Sequence, residues 1–413
     1  MTTTTTHHAH HPPAPGHDEK ELIVPVADRM HLLPPYVFGR LNAAKYAKRR
    51  EGADIIDLGM GNPNDPTPAP IVDKLCEAVR NPRSHRYSAA GGLLNLRKEV
   101  AKDYHKHFGA DLDAEKEIIT TIGSKEGISH LSLALLGPGD TALVPEPAFP
   151  IHIYSPILAG ANVITVPLAE GPELVRNIVD TTCRVHPKPK VLFLNYPHNP
   201  TTMVAEPDFF REIVAYAHKY EVLVIHDFAY RDLVFDGYTA PSFLQIEGAK
   251  AVGVEFTTMS KSYNMAGWRV GFCVGNRHVV EALSRIKGYY DYGLFQPVQI
   301  ASIIAMRHCR EDAVKQAAVY QKRRDVLVEG LNRYGWKVTK PRGTMFVWAP
   351  IPEKYRSMGS IDFSLKMMDE AEVAVAPGRA FGEGGEGFLR FALVENELRL
   401  KQAARQIGKA FKI

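Results

Sequence analysis

Cysteine is scarce. The 413 residues contain four, Cys76, Cys183, Cys273 and Cys309, far apart and without a C-x-x-C pair. That spacing argues against a zinc site or a disulfide framework and suits a reducing compartment. An excess of one charge is lacking too: 50 Lys and Arg face 46 Asp and Glu, a net of +4. Nothing in that balance calls for nucleic acid or a membrane surface as a partner. No apolar run approaches the ~20 residues of a membrane span, and no signal-peptide apolar region stands near the start. The expectation is a cytoplasmic protein. What is present is ordinary globular composition, 45% hydrophobic and 23% charged, on a chain long enough for a large core and two domains.

Residues 1–20 are a threonine run followed by histidines and prolines. Such a stretch buries too little apolar surface to order itself, and a disordered tail is expected, with no metal assigned to its histidines. Residues 21–70 form an N-terminal segment contributing to a small domain. Within it, Pro34-Pro35 breaks structure, a stretch of helical composition follows, and IIDLGM reads as a short strand before a Gly/Asn/Pro loop. Residues 71–300 are expected to be a large domain, and residues 301–413 an interdomain helix and a C-terminal small domain. From Ile118 onward, wholly apolar runs alternate with helical stretches, which argues a mostly parallel sheet covered on both faces. The last part reads strand, helix, strand, strand, helix, an α+β unit. The fold class is therefore α/β.

The stretch TMSKSYNMAGWRVG, Thr258 to Gly271, sits between two such apolar runs. It places Lys261 beside the hydroxyls of Thr258 and Ser260, with Arg269 eight residues on. A desolvated lysine has a lowered pKa and can attack a carbonyl to form a Schiff base. An arginine is an always-charged fork for phosphate. A Schiff-base lysine with a phosphate anchor is what pyridoxal phosphate requires.

Ligands of parallel sheets bind beyond the carboxyl ends of the strands, so each strand end is informative. After IITTIG comes Gly123-Ser124-Lys125-Glu126-Gly127, a helix start able to cradle phosphate. After TALVPEP comes Phe149, an aromatic ring that could stack on a ligand or fill the core. After KVLFLNYP comes His198-Asn199-Pro200-Thr201, and after VLVIH comes Asp227-Phe228-Ala229-Tyr230. A carboxylate at the end of a buried strand is costly unless paired, and a pyridinium N–H is one such partner. Gly59 and Gly61 fit either close backbone approach to a ligand or a plain strand-to-turn junction. Arg390 alternates with Leu389 and Phe391, and fits either a solvated edge arginine or a carboxylate clamp.

The order Gly-rich cradle, aromatic, N-P-T, D-x-x-Y, S-K, G-x-R and late arginine resembles the class I and II aminotransferases of fold-type I, from about residue 22 to the end. LPPYVF, IIDLGMGNP, TIGSKEG, AFPIHIY, YEVLVIHDFAY, MSKSYNMAGWR and RFALVEN are similar to segments of bacterial alanine aminotransferases of the glutamate–pyruvate type. LL-diaminopimelate aminotransferases are near relatives. The resemblance implies a homodimer with shared sites, and roles for individual residues. Lys261 would bind the cofactor and act as general acid and base. Asp227 would hold the ring nitrogen protonated, Tyr230 and Asn199 would bond the ring oxygen, and Phe149 would stack on the ring. Ser124, Lys125, Thr258, Ser260 and Arg269 would hold the phosphate, with Tyr87 reaching the neighbouring subunit's phosphate. Arg390 would clamp the substrate carboxylate beside Gly61 and Asn199, and Tyr36 would close over it. Many members of the family have glycine where this chain has Thr202.

The expected reaction is ping-pong transamination, alanine plus 2-oxoglutarate giving pyruvate plus glutamate. The alternatives are LL-diaminopimelate, methionine, aspartate or an aromatic amino acid as substrate, a carbon–sulfur lyase or decarboxylase on the same scaffold, and a non-catalytic cofactor-binding module.

Overall fold

A computed structural model of the chain describes residues 24–34 and 37–411. The tail at 1–20 and Tyr36 lie outside the described residues. The first strand, β1 (Ile56–Leu58), departs for a small sheet. The next seven, β2 (Ile118–Ile122), β3 (Thr141–Glu146), β4 (Asn162–Pro167), β5 (Val191–Asn195), β6 (Leu223–Asp227), β7 (Gly253–Thr258) and β8 (Val270–Gly275), form one sheet in the order β2-β8-β7-β6-β5-β3-β4. All its pairings are parallel except those of β8, which runs antiparallel to both β2 and β7. The sheet has apolar clusters on both faces. On β5, Leu192 and Leu194 join one cluster while Val191 and Phe193 join the other. Burial on both sides is why these strands read as unbroken apolar runs. Each fully buried Leu, Val or Phe contributes about 1.5–3 kcal/mol before conformational entropy is counted.

The remaining strands, β9 (Phe346–Pro350), β10 (Val373–Pro377) and β11 (Phe388–Ala392), take β1 into a four-stranded sheet ordered β1-β10-β11-β9. The small sheet is thus built from both ends of the chain, and the whole is α/β, mostly parallel, sandwiched by helices. Between β8 and β9 lie three α-helices, Arg277–Tyr290, Gln296–His308 and Arg310–Arg333. Residues 291–295 separate the first two. A second break, at Cys309, and the helix Pro172–Arg184 were not foreseen. The latter opens with proline at its first turn and buries Leu174, Ile178 and Thr182 at intervals of four. No helix among the described residues is long and apolar enough to cross a membrane.

Candidate active site

The sheet topology gathers the chemistry. β2, β3, β5, β6 and β7 are mutually parallel, so their carboxyl ends share one edge. Because β8 is antiparallel, its amino end, preceded by Arg269, lies on that edge too. The Gly-rich turn, Phe149, Asn199, Asp227, Lys261 and Arg269 are therefore brought to one rim.

At β2 the turn leads into the helix Ser124–Leu135. Gly123 has φ +76°, and a Cβ there would come within 2.2 Å of Arg269 Nη2, so only glycine lets the guanidinium lie over the turn. Arg269 Nη1 donates to Ala266 O (3.0 Å) and its side chain is exposed. Ser124 is buried and Lys125 exposed. Sequence reasoning missed the turn's support. Glu126 accepts the Ile122 N–H (2.7 Å) and the ammonium of buried Lys287 (2.9 Å). Burial alone would raise the Glu126 carboxyl, but His130 and Lys287 hold it at about 2. Lys287 also pairs with Asp291 (3.0 Å), so this acidic cluster already has its cation. Thr258 Oγ1 accepts from Ser260 N (3.2 Å), lies 2.9 Å from Ser260 Oγ and donates to Val270 O (2.8 Å). It ties the lysine segment to β8.

Lys261 lies on the four-residue helix Met259–Ser262, and its Nζ donates to Gly61 O (2.8 Å). Burial, then the charges of Arg390 and Arg269, lower its pKa to about 8, against an opposing pull from Asp227. A Cβ on Gly61 would meet the Phe346 ring at 2.6 Å, which keeps this carbonyl in reach of Lys261. Asp227 is 6% exposed. Its Oδ2 lies 3.1 Å from His152 Nε2, and its backbone oxygen accepts from Asn195 Nδ2 (2.7 Å). Its Oδ1 is buried with no hydrogen-bond partner. Neither His152 nor Asn195 carried a sequence signal: one lies two residues into a helix after an aromatic-proline turn, the other ends an apolar run. Phe149 is half-buried and its ring meets that of His152 edge-on. Tyr230 is buried, and burial raises its hydroxyl well above the usual range, leaving it a proton donor.

Arg390 is 4% exposed and sits on β11, an interior strand of the small sheet. The solvated-edge reading is thereby overturned. Its Nη1 donates to Asn199 Oδ1 (2.7 Å) and its Nη2 to Gly59 O (3.2 Å). The guanidinium lies 4.0 Å from the Phe346 ring centre and 4.5 Å from that of Phe381. Asn195 Oδ1 accepts the Asn199 N–H (2.9 Å), fixing the turn below. Tyr87 is placed elsewhere: it is 89% exposed and packs on Tyr292, ring centres 5.4 Å apart. Thr202 has φ +66°, which gives a physical reason for glycine at that position.

The residues fit pyridoxal phosphate. A buried carboxylate oxygen without a donor matches a ring N–H, a helix start beside an arginine matches a phosphate, and a lysine of lowered pKa matches an aldehyde. A model for aminotransferases of class I and II matches residues 53–407. The chain is 49% identical over 387 residues to the glutamate-pyruvate aminotransferase AlaC of Escherichia coli strain K12, covering 93% of each. It is 43% identical over 383 residues to an LL-diaminopimelate aminotransferase of Moorella thermoacetica, covering 93% of this chain and 97% of the relative. The solved structure of substrate-bound BacF from Bacillus subtilis superposes with a TM-score of 0.86 at 33% identity, over 94% of this chain and 98% of that one.

Proposed function

The chain belongs to the class I and II aminotransferases, and from that premise we propose that it moves the amino group between alanine and 2-oxoglutarate, giving pyruvate and glutamate, in either direction. It is a pyridoxal phosphate-dependent enzyme acting on small molecules. The observation that carries the alanine reading is 49% identity to a glutamate-pyruvate aminotransferase over 93% of both chains. The second reading is LL-diaminopimelate, favoured by 43% identity to such an enzyme.

The bound cofactor supplies an electron sink that weakens the Cα–H bond of the amino acid. The chain's own groups do the rest. Asp227, with its open Oδ1, holds a proton on the ring nitrogen, and His152 fixes its other oxygen. Tyr230 and Asn199 bond the ring oxygen. Phe149 lies on the ring. Ser124, Lys125, Thr258, Ser260 and Arg269 hold the phosphate. Arg390 clamps the α-carboxylate, and the two phenylalanine rings beside it keep water off the guanidinium. Lys261, its pKa lowered to about 8, would take the proton from Cα and deliver it to the cofactor carbon that holds the substrate nitrogen. Donor and acceptor use the site in turn, so the kinetics are ping-pong. Tyr87, Tyr289, Tyr290, Tyr292 and Phe295 make an exposed aromatic surface, and on it we place a second copy, with Tyr87 reaching that copy's phosphate. Tyr36 is the residue we expect to close over the substrate. Free, exposed Cys76 and Cys183 suit the cytoplasm.

The test is to add single amino acids to the yellow enzyme with no keto acid and follow the bleaching of its visible band. Fast bleaching by alanine and glutamate supports the proposal. Fast bleaching by diaminopimelate alone replaces the substrate, and ammonia release without an acceptor replaces the reaction by a lyase. Lys261→Ala abolishes turnover.

A further inference from the structure

β6 and β7 carry Asp227 and Thr258 at their ends, and the ladder between them runs on to the Phe228 N–H, which donates to Phe256 O (2.7 Å). Past that point the two chains part. One bears Tyr230, the other Lys261. They are joined again by a side-chain bond: Ser262 Oγ donates to Asp232 Oδ2 (2.6 Å). Ser262 is buried, and its partner's carboxylate is 9% exposed. Ser262 directly follows Lys261, and Asp232 lies two residues beyond Tyr230.

Asp232 is itself clamped. Arg310 Nη1, on the first residue of the helix Arg310–Arg333, donates to its Oδ1 (2.5 Å), and Arg231 Nε lies 3.6 Å from the same oxygen. Arg231 is held in turn by Asp103 (2.6 Å) and lies over the Phe108 ring at 4.9 Å. His107 reaches Asp103 at 3.6 Å, and Tyr263 completes the surroundings. Burial alone would raise the Asp232 carboxyl, but Arg231 and Arg310 hold it below the usual carboxylate range. An ionised acceptor makes a bond to a hydroxyl stronger than a neutral one does. The helix bearing Lys261 is a single turn, too short to hold its own direction. Thr258 anchors its start, and Asp232 anchors its end.

We propose that Asp232 is a positioning residue for the transfer reaction: through Ser262 it holds the Lys261 segment in register with Asp227, which ends β6, and with Tyr230, on the loop that leads from β6 to Asp232. It rests on the reading of Lys261 as the residue that meets the cofactor. Ångström-scale errors in placing a reacting group cost up to about 100-fold in rate, so one bond at the end of a single turn has that much to protect.

The test uses Ser262→Ala, Asp232→Asn, the double variant and Ser262→Thr, each as apoenzyme and as holoenzyme. A cavity of about 30 Å³, lined by Asp232, Ser262 and Arg310 on one side and by apolar Val100, Phe272 and Met306 on another, has room for the threonine methyl or, in Ser262→Ala, for a water beside Asp232 and Arg310. Ser262→Ala removes one hydroxyl, and its apoenzyme is checked for the wild-type melting temperature before use. Apoenzyme is mixed with pyridoxal phosphate at a series of pH values, and the visible band of the lysine-bound cofactor is timed. Both single variants capture the cofactor about 10-fold more slowly. Their pH midpoints move upward, as Lys261 drifts from Arg390 and Arg269. The double variant is no worse than the worse single, as two ends of one bond require. Ser262→Thr recovers the wild-type rate and midpoint. In the holoenzyme kcat falls and KM holds. Wild-type rate and midpoint in Ser262→Ala, or additive losses in the double variant, overturn the proposal. Should Asp232→Asn not fold, Ser262→Ala and Ser262→Thr decide alone. A wild-type enzyme that forms no visible band overturns the functional reading itself, and so is told apart from a failure of this one.

Discussion

Glu255 and Asp227 are carboxylates on adjacent strands, one step apart in register: His226 faces Glu255, and Asp227 faces Phe256. Glu255 is saturated. Tyr104 OH (2.7 Å) and Ser242 Oγ (2.9 Å) donate to Oε1, while the Phe243 N–H (2.8 Å) and His226 Nδ1 (2.8 Å) meet Oε2. Asp227 has one histidine on Oδ2 and nothing on Oδ1. Both are buried, so the protein could have satisfied both. A full set of donors inside the core marks a carboxylate that serves the fold. A missing donor at a strand end marks one kept for a ligand.

The sharpest way to break the comparison is to neutralise each acid in turn. Asp227→Asn lowers kcat by about 1000-fold yet leaves the melting temperature of the apoenzyme unchanged or raised, measured by circular dichroism. Glu255→Gln does the reverse. Its amide nitrogen faces donors that want an oxygen, costing about 3 kcal/mol in urea unfolding, while holoenzyme that stays folded keeps most of its kcat. Equal stability losses in the two variants would erase the distinction. A milder probe is pH. The neutral Lys261 amine captures the cofactor, so the capture rate climbs as pH rises through about 8 rather than 10.5, spread over about one unit on either side. Arg390→Met removes a positive neighbour and moves that midpoint upward. The smallest effect belongs to Thr202, a β-branched residue at φ +66°. Thr202→Gly relieves the left-handed backbone and stabilises the chain by about 1 kcal/mol, read as a higher melting temperature with activity unchanged.

How much was legible follows from what each feature depends on. The alternation of apolar strands and helices is a local pattern, so the mostly parallel sheet, the small sheet's last three strands and the rim of strand-end residues could all be read. Arg390 was readable as a candidate, but whether it faced solvent depended on β11 lying inside its sheet, which is a tertiary fact. The reversal of β8 leaves no trace in its apolar composition. His152, Asn195, Glu126 and the Glu255 cluster were missed because a decisive partner of each is remote in sequence: Asp227 for His152 and Asn195, Lys287 for Glu126, and Tyr104 for Glu255. Tyr87 sits on the surface in a single copy of the chain, where its proposed partner is another copy.

The central claim, that the open oxygen of Asp227 is kept for a ring N–H, has a direct measurement. Enzyme reconstituted with pyridoxal phosphate labelled with nitrogen-15 in the ring is examined by NMR at neutral pH. A pyridinium shift in the wild type that becomes a bare-pyridine shift in Asp227→Ala is the predicted result. A bare-pyridine shift in the wild type would contradict the account.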